Sequence, residues 1–446
     1  MIRKVLIANR GEIALRVART CRELGIGTVA VYSESDRDSA VVRFADESVN
    51  IGPGPAKQSY LNIPAVIEAA RTRGADAIHP GYGFLSENPD FAEVCEAEGI
   101  TFVGTPAKVM AQLGDKASAR AIMTDAGLPL LPGSRDALDG PAAHALAEEI
   151  GYPVIVKAVA GGGGRGMAVI RRSEDFARAW AETRAAAQAV FRDGRMYVER
   201  YLDSARHVEI QVLADAHGSV VHLGARDCSL QRRHQKLVEE SPAPNLPSEL
   251  LAEMGEAAVR GAREAGYVGA GTFEFLVDGQ GRFYFMEVNC RLQVEHPVTE
   301  MVTGVDLVAE QLRIAAGEPL SFGQDDIRHQ GVSIECRINA EDPSRAFAPA
   351  PGTLVECLLP GGPFVRVDTH AHTGYRVPAL YDSLLAKVIV WAPTRDAAIA
   401  RMRRALAETR ITGAGVSTTA EFLSDVLDRA EFREVRHHTR FLETLT

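Results

Sequence analysis

The chain has 446 residues, more than one hydrophobic core usually spans, so roughly two to four domains are expected. With 46% hydrophobic and 24% charged residues, its composition is that of an ordinary soluble globular protein. The net charge of −10 excludes a general nucleic-acid binder, whose phosphate contacts need a basic face, and leaves any anionic substrate to local positive charge.

In chain order, residues 5–8 form an apolar run too short for a signal-peptide core and readable as a first strand. Ile13, Ala14, Val17, Ala18, Cys21 and Leu24 then fall at helical spacing, and Gly25 ends the helix. Further strands are expected at 28–32, 49–51, 77–79 and 101–103. Over residues 1–114 this alternation predicts a parallel sheet with helices on both faces, a Rossmann-like arrangement. The first turn, Asn9-Arg10-Gly11-Glu12, has one glycine where a dinucleotide fold carries GxGxxG, which argues against NAD. Residues 115–130 read as a helical connector. Residues 131–201 read as strand, Gly-rich loop, strand, Ala-rich helix and strand, and 202–446 as a mostly antiparallel α+β domain. The six cysteines form no CxxC pair, so neither a zinc ribbon nor a disulfide framework is expected, in keeping with a reducing cytoplasm. No stretch approaches the roughly 18 apolar residues of a membrane span. The pairs His370/His372 and His437/His438 are expected at the surface.

Residues 154–170 hold glycines at 161–164 and 166 between two apolar runs, with Lys157 and Arg165 beside them. Glycine backbone N–H groups approach phosphate oxygens closely because no Cβ intervenes. A Walker loop would run into a helix after Gly-Lys-Ser/Thr. This loop instead joins two strands and is suited to fold over a ligand as a flap, with Lys157 placing its charge on phosphates. A flexible hairpin tip is the alternative, although four consecutive glycines weaken a hairpin through backbone entropy.

Residues 271–289 read as a hairpin turning at 278–281. If Val277 pairs with Arg282, Glu274 lies opposite Phe285, and Glu287 is its diagonal neighbour roughly 7–8 Å away. Two inward carboxylates need compensation, and Mg²⁺ with nucleotide phosphates supplies it; a solvated face is the alternative. From Glu287 onward, Asn289, Arg291, Gln293 and Glu295 alternate with apolar residues, and an extended chain puts all five polar groups on one face. An edge strand with a wet side reads the same way. Arg291 suits a planar carboxylate-like anion through a bidentate fork, and Glu295 is placed to take its proton; bicarbonate fits both roles. Residues 227–236 add positive charge, or else a solvated basic turn. His207, in an alternating segment with Glu209 and Gln211, reads as structural and not as a catalyst.

These residues, in this order, resemble the biotin carboxylase family of the ATP-grasp fold. The resemblance runs through IANRGEIA (7–14), HPGYGFLSEN (79–88), Lys157 and its glycine loop, and RDCSLQRRHQK (226–236). It continues through EVNCRLQVEH (287–296), ECRINAED (335–342) and YDSLLAK (381–387), nearly the whole chain. It implies an ATP-grasp α/β architecture: N-terminal domain 1–114, connector 115–130, flap 131–201 and catalytic domain 202–446. The implied nucleotide pocket uses Lys116, Lys157, Gly162, Gly163, Gly164, Gly166, Glu199, Arg200, Leu202, His207, Gln231, His234, Glu274 and Glu287. Glu274, Glu287 and Asn289 would serve two Mg²⁺ or Mn²⁺ ions. Bicarbonate would sit against Lys236, Arg291, Gln293 and Val294 with Glu295 as base, Arg337 would stabilise the biotin enolate, and Tyr82 would line the biotin site.

The implied activity is ATP-dependent carboxylation of biotin from bicarbonate through carboxyphosphate, the first half-reaction of an acyl-CoA carboxylase such as one acting on acetyl-CoA. Ala160, Cys290, Arg200 and the segment 415–419 depart from the family's usual residues without removing a catalytic group. None of the nine methionines precedes a lysine, so no biotinylation hairpin is expected within the chain. A cytoplasmic stand-alone subunit follows, a homodimer working with a separate biotin carboxyl carrier protein and carboxyltransferase subunits. An ATP-grasp ligase joining a carboxylic acid to an amine, and a nucleotide-binding subunit without activity, are the competing readings.

Overall fold

The computed structural model describes residues 2–134, 136–160 and 166–445. The N-terminal part builds a parallel sheet from β1 (Lys4–Ile7), β2 (Gly27–Tyr32), β3 (Glu47–Asn50), β4 (Ala77–His79) and β5 (Thr101–Phe102), in the order β3-β2-β1-β4-β5. Helices α1 (Gly11–Glu23), α2 (Ala40–Phe44), α3 (Ile63–Arg73), α4 (Pro89–Ala97) and α5 (Ala107–Gly114) connect and follow the strands. Sequence punctuation sets their ends. In α3 the Asn62 side chain accepts from Ala65 N, a proline opens the first turn, and left-handed Gly74 closes the last. The strand order reverses at β1, so the turns after β1 and β4 lie side by side, where open α/β sheets place their crevice. Asn9 Nδ2 joins them by donating to Pro80 O and Tyr82 O, both at 2.7 Å.

After α6 (Lys116–Asp125) comes a three-stranded sheet of β6 (Val154–Ala158), β7 (Met167–Ile170) and β8 (Met196–Arg200), in the order β7-β6-β8, with α8 (Phe176–Phe191) packed on it. Residues 140–150, to which the hydrophobic spacing assigns no element, form α7 (Gly140–Ile150). Its start is fixed by Asp139, whose side chain accepts from Ala142 N at 2.8 Å.

The remaining chain is built on an eight-stranded antiparallel sheet. Its strands are β9 (Arg206–Ala214), β10 (Val220–Arg232), β11 (Gln235–Ser241), β12 (Gly269–Val277), β13 (Phe283–Asn289), β14 (Val332–Asn339), β18 (Val365–Thr369) and β19 (Leu384–Ala392), ordered β13-β12-β9-β10-β11-β14-β19-β18. Two short ladders lie apart from it, β15 (Glu341–Asp342) with β16 (Ala348–Pro349) and β17 (Leu354–Leu358) with β20 (Arg410–Gly413). One face of the large sheet is apolar. Val208, Ile210 and Val212 pack with Ala257 and Ala258 of α9 (Ser248–Glu264). Ile334, Cys336 and Ile338 pack with Ala398, Ile399 and Met402 of α12 (Arg395–Glu408). Each such Val or Ile contributes roughly 1.5–3 kcal/mol on leaving water. The opposite face carries charge and is covered by α10 (His296–Thr303) and by α1, with α11 (Leu307–Ala315) against β12. His370 and His437 are buried, not superficial as expected. His370 sits 3.2 Å from Tyr375 Oη and His437 3.6 Å from Asp227, while His372 and His438 are half-buried.

Candidate active site

The hairpin of β12 and β13 forms one residue out of the expected register. Val277 pairs with Phe283 and Phe275 with Phe285, and a bulge then brings Glu274 directly opposite Glu287. Asp278 N donates to Arg282 O at 2.9 Å, so the turn is a residue longer than the spacing suggests, and the bulge absorbs Met286. The two carboxylates are therefore facing neighbours and not diagonal ones.

The extended conformation inferred for 287–295 ends at Asn289, and the chain then turns into α10 with Glu295 at its N-cap position. Pro297 sits in the first helical turn, where its missing N–H costs nothing. The polar groups still converge, because hydrogen bonds fold the turn back onto the sheet. Asn289 Nδ2 and Gln293 Nε2 donate to Glu274 Oε1 at 2.8 and 3.1 Å. Arg291 donates to Asn289 Oδ1 at 3.0 Å, to Gln293 Oε1 at 2.8 Å and to Glu87 Oε2 at 2.8 Å. The Val294 carbonyl accepts from Lys387 Nζ at 2.7 Å.

Lys236, on β11, is the hub. Its ammonium lies 2.6 Å from Glu209, 2.6 Å from Glu295 and 3.2 Å from Glu274. Burial works against this charge, yet the three carboxylates outweigh it and push the ammonium well above the usual lysine range. Glu295 also receives Arg337 Nη2 at 2.9 Å. Burial raises its carboxyl, but Lys236, Arg337 and Arg226 together hold it well below the usual carboxylate range. Arg337 lies 2.6 Å from Glu239, whose carboxyl is pushed up to about 7 by burial, with Arg337 opposing and Glu295 reinforcing the shift. Beneath Lys236, the fully buried Arg226 donates to Glu209 at 2.5 Å and to Gln211, Thr299 and Thr272 at 2.8, 2.9 and 3.1 Å. Glu12, Glu87, Arg226, Glu335 and Lys387 belong to the motifs quoted above and Glu209 and Glu239 lie outside them; spacing alone gives none of the seven a role. One signal was available: Lys387 interrupts the apolar run Leu384–Ala392, where an unpaired charge would be costly.

A second cluster lies toward β6 and β8. Lys157 Nζ is 2.5 Å from Glu199 Oε2, and Glu199 also pairs with Arg120. Burial opposes the Lys157 charge, but Glu199 raises it overall; burial lowers Lys116, with Glu287 opposing. His207 lies 3.1 Å from Glu274, which outweighs burial and raises the imidazole. Gln231 is the direct cross-strand neighbour of Lys236, and His234 stands at the left-handed tip of that hairpin. Arg200 turns away to donate to Ile150 O, and Leu202 follows it, half-buried, between β8 and β9. Gly166 has φ +73, where a side chain would be strained. Gly162, Gly163 and Gly164 lie outside the described residues.

Tyr82 stands on the other side of the Glu12–Lys387 pair, its hydroxyl donating to Glu12. With Arg10, Phe84, His370, Tyr381 and Asp382 it lines a cavity of about 200 Å³.

Glu287 tests whether the site suits a divalent cation. Burial, and then the facing Glu274, push its carboxyl up, and among the described residues no hydrogen bond or ion pair neutralises it. Two facing carboxylates, one of them without a hydrogen bond or ion pair among the described residues, with an amide oxygen at Asn289, fit a hard cation that shares phosphate oxygens. Lys116 and Lys157 both act on the Glu287 carboxyl, opposing its rise.

Three family models match in succession: "Biotin carboxylase, N-terminal domain" over 1–110, "Carbamoyl-phosphate synthase L chain, ATP binding domain" over 115–322, and "Biotin carboxylase C-terminal domain" over 335–444. Biotin carboxylase 1 of Bacillus subtilis is 53% identical, covering 100% of this chain and 99% of its own. The Haemophilus influenzae biotin carboxylase is 54% identical over 99% of this chain and 98% of its own. The Campylobacter jejuni biotin carboxylase, solved as a beta-gamma-ATP complex, superposes with a TM-score of 0.97 at 48% identity, covering 100% of this chain and 99% of that one. The biotin carboxylase domain dimer of Hydrogenobacter thermophilus 2-oxoglutarate carboxylase, solved with MgADP and bicarbonate, gives 0.96 at 49% identity, covering 100% and 98%. Among the described residues no helix is long and apolar enough to cross a membrane.

Proposed function

This chain belongs to the biotin carboxylase family and is an ATP-dependent ligase, and from that premise we propose that it carboxylates biotin presented by a separate carrier protein. Glu295 takes the proton of bicarbonate. Lys236, Arg291, Gln293 and the Val294 backbone hold that anion, and Arg337 stabilises the biotin enolate. Tyr82 lines the biotin pocket. Lys116, Lys157, Glu199, Arg200, Leu202, His207, Gln231, His234 and the loop glycines 162–164 and 166 hold the nucleotide. Glu274, Glu287 and Asn289 would hold Mg²⁺ or Mn²⁺, which when bound neutralises charge on the transferring phosphoryl group.

The observation that carries this reading is Glu295 clamped between Lys236 at 2.6 Å and Arg337 at 2.9 Å, beside the facing Glu274 and Glu287. The two cations keep Glu295 ionised, as a base must be. An anion that draws Lys236 to itself weakens that hold and returns basicity to the carboxylate when the proton has to move. Arg337, already against Glu295, then meets the enolate's developing charge without reorganisation.

The amine-joining alternative has no use for a carboxylate shared between a lysine and an arginine. An acceptor such as acetyl-CoA in the complete assembly, with carboxyltransferase subunits, and a homodimeric state complete the proposal. Relatives in 2-oxoglutarate carboxylase make the acyl acceptor the part to test against partner proteins. The direct test is phosphate release from MgATP with and without bicarbonate and free biotin. Release should need bicarbonate and rise with biotin, and Glu295→Ala should lower it by about 10²–10⁴-fold. Release indifferent to both ligands would remove the assignment.

A further inference from the structure

Lys387 and Glu12 form a buried ion pair across two parts of the molecule. Their side chains are 0% and 1% exposed, and Lys387 Nζ lies 3.0 Å from Glu12 Oε1. Glu12 sits in the first turn of α1, beside the crevice of the parallel sheet, while Lys387 is mid-strand in β19 of the large antiparallel sheet. Enclosing two such charges costs several kcal/mol per ion before their attraction repays it. A hydrophobic pair would hold the two parts together at less cost.

The remaining bonds indicate what the charges accomplish. Lys387 spends one N–H on the Val294 carbonyl at 2.7 Å, in the turn that carries Glu295. Its cross-strand neighbours are Arg337 on β14 and Asp368 on β18. Arg337 holds the Glu295 carboxylate from the same sheet, and Asp368 lies 4.0 Å from the ammonium. Glu12 spends the same oxygen on the Tyr82 hydroxyl, while its Oε2 has no hydrogen-bond partner among the described residues. A continuous series of contacts therefore runs from Tyr82 through Glu12 and Lys387 to the backbone of residue 294.

We propose that Lys387 and Glu12 are positioning residues that fix the Val294–Glu295 turn for bicarbonate and tie it to the wall of the biotin pocket at Tyr82. The proposal rests on the roles given above to Glu295 and Tyr82. Lys387 and Glu12 act on bicarbonate through the turn and not by contact with it. They set where the Val294 backbone and the Glu295 carboxylate stand, and a small displacement there is felt as lost affinity for the anion.

The test measures bicarbonate-dependent phosphate release by the full chain without biotin, so that effects on biotin binding drop out. Glu12→Gln/Lys387→Met removes both charges together and strands neither; it should raise the bicarbonate KM roughly 10-fold while the ATP KM stays within about 2-fold. Tyr82→Phe, the loss of one hydroxyl, should raise the bicarbonate KM about 3-fold. A folded double variant with an unchanged bicarbonate KM, or with both KM values raised equally, overturns the proposal. If the double variant does not fold, Tyr82→Phe decides, and an unchanged bicarbonate KM there overturns it. A wild-type chain whose phosphate release ignores bicarbonate is a distinct failure, that of the underlying assignment.

Discussion

Along β14, Ile334, Cys336 and Ile338 face the apolar side of α12, while Glu335 and Arg337, one residue out of step, lie on the face covered by α10. The first set is held by burial, which asks only for volume and contact. The second is held by named partners: Arg337 by Glu239 and Glu295, and its cross-strand neighbour Lys387 by Glu12 and Val294. One strand thus serves two purposes. The apolar face supplies the stability, and the charged face spends part of it to hold functional groups where water cannot reorganise them.

The contrast is broken most severely at Arg226. Arg226→Met leaves Glu209 buried without its 2.5 Å partner and should cost about 3–5 kcal/mol, read from urea denaturation. A smaller, pH-dependent effect belongs to Glu239. Burial pushes its carboxyl up from 4.5 to about 7, with Arg337 opposing and Glu295 reinforcing. Between those values the folded chain holds more protons than the unfolded one, so this group's contribution is complete at low pH and is lost as pH rises through about 7. Glu239→Gln should flatten that decline in melting temperature between pH 4.5 and 7. The smallest effect is expected on the apolar face. Ile334→Val should cost about 0.5–1.5 kcal/mol in the same denaturation and leave both KM values unchanged. If Ile334→Val shifted the bicarbonate KM as Lys387 variants are expected to, the division between the two faces would fail.

Much of the parallel sheet was legible in the residues, because hydrophobic periodicity reports burial directly. All five strands expected in residues 1–114 form, each within a few residues of its expected bounds. The facing glutamates were legible as a pair but not in their register, since the Met286 bulge depends on packing that loop length does not encode. The alternation from Glu287 to Glu295 pointed to a shared face. The groups do meet, but from Arg291 onward they meet through a turn and not a strand, which period two cannot distinguish. Glu209, Glu239 and Glu335 became visible only once strands distant in sequence were paired, and the partners of Lys387 likewise. Each is a charge in a strand, and its meaning lies in a neighbour that the local sequence does not contain.

The buried pairs Glu209–Arg226, Glu239–Arg337 and Lys387–Asp368, each formed across neighbouring strands, also bear on how this sequence can diverge. Reversing either member of such a pair sets like charge against its partner in a dry interior, so single changes are destabilising before function is even tested. Divergence there has to proceed in pairs across adjacent strands. Ile334 and Ile338, a residue away, are free to drift one at a time among side chains of similar volume. The sheet therefore records its history at two rates, according to which side a residue faces.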